Sequence, residues 1–189
     1  MQVANSAIII SFAIIGSMLK YVDIAYDENR FGKTSAALAG LTALLAWLFI
    51  SFLDSTSANI LLAVLLGSLF SGKLDNVVFK LSAVMILLFS ALYVQFDFHV
   101  LFFLSVLGII DEKGNDKKIE NKALEFLLAH RFAMKAGTLA LLLLSRVRLV
   151  HFVGFMLFDI FYDAVRVLAR SRKTILAQKA ATPAAEEGN

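Results

Sequence analysis

The chain contains no cysteine. Disulfides, thiolate metal sites and a cysteine nucleophile are thereby excluded, and no redox compartment follows. Proline occurs once, in the C-terminal tail at Pro183, so no helix before it is kinked or broken by a pyrrolidine ring. Charge is scarce as well: Asp, Glu, Lys and Arg make up 17% of the residues, against roughly 25% in an ordinary soluble domain. The familiar catalytic signatures are missing. There is no G-x-S-x-G, no H-E-x-x-H and no G-x-G-x-x-G. Gly32-Lys33-Thr34 matches the end of a phosphate-binding P-loop, but Asp27 stands where its first glycine is needed. His99, His130 and His151 lack zinc-site spacing.

What is present is apolar. Hydrophobic residues reach 59% and phenylalanine alone numbers 17, with a mean hydropathy of +0.78. A soluble domain has roughly 45–50% apolar residues, and so little polar surface would not cover a water-soluble particle. The expected fold is therefore all-α, a polytopic transmembrane helix bundle of about seven spans. A bilayer core needs about 20 apolar residues in a helix. Val3–Lys20 and Ser35–Leu53 meet that length, and Asn59–Gly72, Val77–Gln95 and Val100–Ile110 follow as further runs. The last apolar stretch, Ala123–Val165, is too long for one span at 1.5 Å per residue. It is divided at Ser145–Arg148, although no glycine or proline marks a turn there. The first run lacks the basic leader and small-residue cleavage site of a signal peptide, so it reads as a retained span. Residues 1–173 form one helical domain on this reading, and 174–189, Ala-rich with acids near the end, form a disordered cytoplasmic tail.

Charge distribution orients the bundle. Lys and Arg in the successive connections and the tail number 3, 0, 2, 0, 4, 2 and 5. Cytoplasmic loops carry the excess of basic residues, which predicts an N-out, C-in protein of the cell membrane. The sixth connection, with Arg146 and Arg148, is the one that breaks the alternation. The net charge of +3 is small, and most basic residues flank apolar runs where they meet headgroups. The expected partner is membrane lipid rather than nucleic acid, and nothing bears on oligomeric state.

Polar groups inside lipid are costly, so their positions carry information. Two segments repeat a pattern: Asp23-Ile-Ala-Tyr-Asp27-Glu-Asn-Arg30 and Asp159-Ile-Phe-Tyr-Asp163-Ala-Val-Arg166. Aspartates four apart share one helix face and can share a divalent cation, and an arginine three beyond can pair with the second or hold a phosphate. Asp75 lies in the tight connection Ser71–Lys80, which also holds Lys73 and Asn76. The candidate Mg²⁺ ligands are therefore Asp23, Asp27, Asp75, Asp159 and Asp163. The candidate phosphate-binding residues are Lys73, Asn76, Arg131, Lys135 and Arg166. Simple ion pairing is the competing reading of the repeat, and the one expected of Arg148 and His151.

The paired aspartates resemble, in general style, those of membrane enzymes that bind diphosphate through Mg²⁺, the UbiA-type prenyltransferases and the CDP-alcohol phosphotransferases. The Asn-Asp-rich motif of the first and the Asp-Gly then Ala-Arg of the second are absent, so no family follows. The expected function is a Mg²⁺-assisted transferase or hydrolase acting on a phosphate-bearing isoprenoid or phospholipid at the cytoplasmic face. The alternatives are a small cation or proton transporter, whose carboxylates would lie at mid-membrane, and a structural membrane protein without catalysis.

Overall fold

The computed structural model describes residues 2–28, 31–115 and 131–181, and helices are the regular structure among them. Seven helices follow in order: α1 (Gln2–Asp27), α2 (Lys33–Leu53), α3 (Ser55–Phe70), α4 (Val77–Tyr93), α5 (Phe98–Asn115), α6 (Phe132–Leu143) and α7 (Leu149–Ala181). Two of them, α1 and α2, are long and apolar enough to cross a membrane. The others depart from that standard for definite reasons. Helices α3, α4 and α6 have 16, 17 and 12 residues, so α6 spans only about 18 Å. Asp159, Asp163 and Arg166 interrupt the apolar start of α7.

Side-chain and backbone chemistry set the connections. Asp54 alone joins α2 to α3. Its N–H closes α2 on Ile50 O at 2.9 Å, and its carboxylate accepts from Ser57 N at 2.7 Å, capping α3. Helix α3 ends in a Schellman turn, with Gly72 N bonded to Leu69 O and Lys73 N to Ser68 O. Gly72 takes the left-handed position there at φ +75°. Asn76 then caps α4 by accepting from Phe79 N at 2.9 Å. The same Schellman pattern ends α6, through Ser145 N to Leu142 O and Arg146 N to Leu141 O. Here Ser145 occupies the left-handed position at φ +56°. The break expected at Ser145–Arg148 is thus present, made without the glycine that usually announces it.

Several boundaries differ from the sequence expectation. Helix α1 runs past Lys20 to Asp27 and α5 past Ile110 to Asn115, because a helix continues into polar residues until a cap or turn stops it. Helix α7 runs to Ala181, into the segment expected to be irregular. The rest of that tail and the loop Asp116–Lys122 lie outside the described residues.

Helix α1 packs against α7 and α2, α3 against α5, and α5 against α6. The α1–α7 pair is parallel and its register can be read from three contacts. Phe12 meets Gly154, Gly16 meets the Phe158 backbone, and Lys20 lies over the Tyr162 ring. A Cβ on Gly16 would stand 2.1 Å from Phe158 O, so only glycine permits this approach.

Polar and apolar residues are distributed against the soluble norm. Asn59, Asp111, Thr138, His151 and Asp159 are buried, while Leu45, Phe49, Leu88, Phe102, Leu143 and Ile160 are exposed on the outer faces. The core is built on Phe12, Ile15, Ile50, Leu61, Leu104, Phe155 and Phe158.

Candidate functional site

The connections gather into two ends. At one, called apical here, Asp54 accepts from Arg148 Nη2 at 2.8 Å and pairs with His151 Nε2 at 2.9 Å. His151 Nδ1 accepts from the Arg148 backbone N–H at 3.1 Å, which assigns the ring proton to Nε2, facing Asp54. Burial alone would raise the Asp54 carboxyl. Hydrogen bonds from His151 and Ser57 outweigh it and hold that carboxyl well below the usual carboxylate range. Beside this clasp, buried Asn59 donates to Ser55 O and Gln95 O at 2.7 and 2.9 Å and accepts from Asp97 N at 3.2 Å. Arg146 lies 3.8 Å from Asp97.

The other, basal end holds a cavity of about 390 Å³. Helices α1 to α5 and α7 line it, with Arg131 just ahead of α6. Its apolar wall includes Trp47, Val64, Ile86 and Phe158, and its polar residues include Asp23, Asp27, Lys73, Asp75, Glu112 and Arg131. Asp27 and Asp75 are exposed at the mouth, and Asp27 lies within electrostatic reach of Asp23 and Asp75. Glu112 ties the cations together, accepting from Arg131 Nη2 at 2.8 Å and meeting Lys73 Nζ at 3.5 Å. The Arg131 guanidinium also stacks over the Tyr162 ring, 4.7 Å from its centroid. Lys20 and Arg166 lie 5.1 and 5.6 Å from the same ring, so three cations gather around one aromatic ring.

Arg131 is held in place by its neighbours rather than by its own helix. It sits in the left-handed region at φ +50° ahead of α6. The first N–H groups of α6 go instead to Asp111, which accepts from Ala133 N at 3.0 Å and Met134 N at 2.8 Å. Buried Asp111 is thus a helix cap supplied from α5.

Of the residues picked from sequence, Asp23, Asp27, Lys73, Asp75 and Arg131 line the cavity. Asp159, Asp163, Asn76, Lys135 and Arg166 do not line it. Asp159 is buried against Lys135 in an ion pair. Asp163 pairs with Arg166 at 3.2 Å, and Asn76 caps α4. The two halves of the repeat do lie on adjacent helices, but out of step. The contacts set residue 16 level with 158, an offset of 142, whereas the repeat has an offset of 136. Six residues correspond to about 9 Å along the axis, so Asp159 lies well inside the level of Asp23. One ion shared equally by all four carboxylates is not what this register offers. Among the described residues, no group of three or more His, Asp or Glu side chains is set to hold a metal.

Sequence reasoning missed Trp47, Ser71, Glu112 and Tyr162 as parts of the cavity. The tyrosine was visible as the shared Tyr of the repeat, and Glu112 as an acid at a span end. Trp47 carried no signal within its apolar run.

No protein-family model, curated protein or solved structure matches this chain.

Proposed function

We propose that the chain is a multi-pass membrane protein that binds a phosphate-bearing lipid in the basal cavity and acts on it with Mg²⁺ as a transferase or hydrolase. The observation that carries this reading is the make-up of one cavity. Its apolar wall of Trp47, Val64, Ile86 and Phe158 continues into a charged mouth of Lys73, Arg131, Asp23, Asp27 and Asp75. An amphiphile with an anionic head fits both parts. Arg131 and Lys73 would take the phosphate oxygens. Mg²⁺ commonly binds through one or two carboxylates plus substrate phosphate rather than in an all-protein cage. One or two of Asp23, Asp27 and Asp75 would supply those carboxylates, and the ion would neutralise charge on the departing phosphate.

The membrane reading draws support from more than α1 and α2. Large apolar side chains are exposed on the outer faces of the shorter helices too, and a soluble monomer rarely shows contiguous patches of more than a few hundred Å². Buried polar groups with partners suit a bundle whose outer solvent is hydrocarbon. On the N-out, C-in assignment the cavity opens at the cytoplasmic face of the cell membrane.

Two measurements test the proposal. The first uses the cysteine-free background. Single cysteines at Lys33, Lys117 and Lys179 should resist an impermeant thiol reagent in intact cells, and one at Ser55 should react. Labelling at Lys117 from outside would reverse the orientation. The second is thermal stability in detergent, because a ligand bound only by the folded state raises it by mass action. Mg²⁺ with a short-chain phosphatidic acid or farnesyl phosphate should raise the melting temperature more than either component alone. Arg131→Gln should remove the lipid effect, and Asp27→Asn the Mg²⁺ increment. A native-like response from both variants would end the reading.

A further inference from the structure

The cavity that the proposed function assigns to a phosphate-bearing lipid contains a polar group that phosphate alone does not use. Three of its lining residues carry buried donors without a partner among the described residues: Arg131 Nη1, Ser71 Oγ and Trp47 Nε1. Buried donors are nearly always bonded, so each orphan calls for an acceptor. Arg131 and Ser71 belong to the basal connections, where an anionic head would lie. Trp47 does not. It is 3% exposed and sits seven residues beyond Gly40 on α2. Gly40 abuts Val78 at the start of α4, so Trp47 lies about 10 Å deeper than the cavity's polar rim. It shares the cavity wall and the buried apolar cluster with Val64, Leu65, Ala83 and Ile86.

We infer that the lipid is built on glycerol, and that one of its ester or ether oxygens, below the phosphate, accepts the Trp47 indole N–H. This rests on the phosphate-lipid reading and narrows it. An isoprenoid phosphate has all of its oxygens at the head and only C–H groups below, which would leave the indole N–H bonded to nothing. A glycerol lipid carries a second tier of acceptors a few bonds from the phosphate, between the charged mouth and the apolar wall. The cavity shows a matching arrangement: cations at the rim, the Ser68 and Ser82 side chains in its wall, and Trp47 among Val64, Leu65, Ala83 and Ile86. Trp is suited to this position because its indole is apolar except for that single donor.

The test compares binding of dihexanoyl phosphatidic acid and farnesyl phosphate to the full-length protein in detergent. Both bear a phosphate monoester, and only the first has oxygens below it. Native protein should prefer the phosphatidic acid. Trp47→Phe keeps the ring and removes the N–H, and should weaken phosphatidic acid about tenfold while leaving farnesyl phosphate unchanged. Arg131→Gln should weaken both. If Arg131→Gln weakens both and Trp47→Phe neither, the phosphate reading survives and the glycerol inference is overturned. If native protein binds neither, both fall. Should Trp47→Phe fail to fold, the native protein's preference decides alone, and equal affinity or a preference for farnesyl phosphate overturns the inference.

Discussion

The apical and basal ends of this bundle use the same kinds of residue for opposite purposes. Apical charged and amide groups are matched to one another, although the buried hydroxyls of Ser51, Ser57 and Ser90 keep no partner among the described residues. Asp54 meets Ser57, Arg148 and His151, Asn59 uses its amide on both sides, and Asp97 faces Arg146. Basal polar groups are matched only in part. Glu112 holds Lys73 and Arg131, yet Arg131 Nη1 and Ser71 Oγ keep unused donors and the mouth exposes Asp27 and Asp75 beside a cavity. Buried polar groups that satisfy each other lock elements together, whereas unsatisfied ones beside open space remain available to a ligand. Polar content alone therefore does not distinguish scaffold from site, and neither do unpartnered hydroxyls, which occur at both ends. Charged groups left partly unmatched beside a cavity do.

The sharpest way to break this comparison is to remove the apical hub. Asp54→Ala deletes the α3 cap and leaves buried His151 without its carboxylate. Stability in detergent should fall by about 2–4 kcal/mol, the lost cap together with a buried His151 donor left unsatisfied. Asp75→Asn, at the exposed basal mouth, should stay within about 0.5 kcal/mol. Equal losses would mean that the basal acids also hold the fold, and the division into lock and site would collapse.

A titration sharpens the same contrast. The folded-state pKa of Asp54 is depressed, so its contribution is complete above the unfolded carboxylate value of about 4. It is lost progressively as pH falls below that value toward the folded one. The melting-temperature gap between native protein and Asp54→Asn should therefore narrow as pH is lowered beneath about 4. A gap that stays constant there would mean that the carboxylate's charge contributes nothing to the clasp.

The helices were legible because apolar runs are long and their breaks polar. The division of Ala123–Val165 was legible from length alone, since Ser145 fills the left-handed position where a glycine would have been readable. The relative level of the two aspartate pairs was not legible. Spacing along the chain places each pair on its own helix, but the contact of Gly16 with Phe158 sets how far one helix slides past the other. That slide separates Asp159 from Asp23 and leaves it to Lys135. Five of the cavity's six charged residues, all but Glu112, could be picked out as costly groups near helix ends. Trp47 could not, because an indole within an apolar run reads as hydrocarbon until its N–H is found without a partner.

The smallest expected effect concerns the pair that disturbed the charge alternation. Arg146 and Arg148 stand at the end where the proposed N-out, C-in orientation expects few basic residues. The structure gives each an acid, Asp97 at 3.8 Å and Asp54 at 2.8 Å, so the connection carries little uncompensated charge. The two arginines are not equivalent, however. Arg148, itself 57% exposed, joins a carboxylate only 15% exposed, while the side chains of Arg146 and Asp97 are 50% and 40% exposed. Water screens the second pair, and exposed pairs contribute about 0–1 kcal/mol. Arg146→Gln should therefore leave the melting temperature within about 1–2 °C of native, and added salt should change it no more than it changes the native protein. Arg148→Gln should fall between this value and that of Asp54→Ala, because His151 still holds the carboxylate. If Arg146→Gln costs as much as Arg148→Gln, the apical charges act as one network rather than as a clasp with a peripheral pair, and Asp97 belongs among the groups that lock that end.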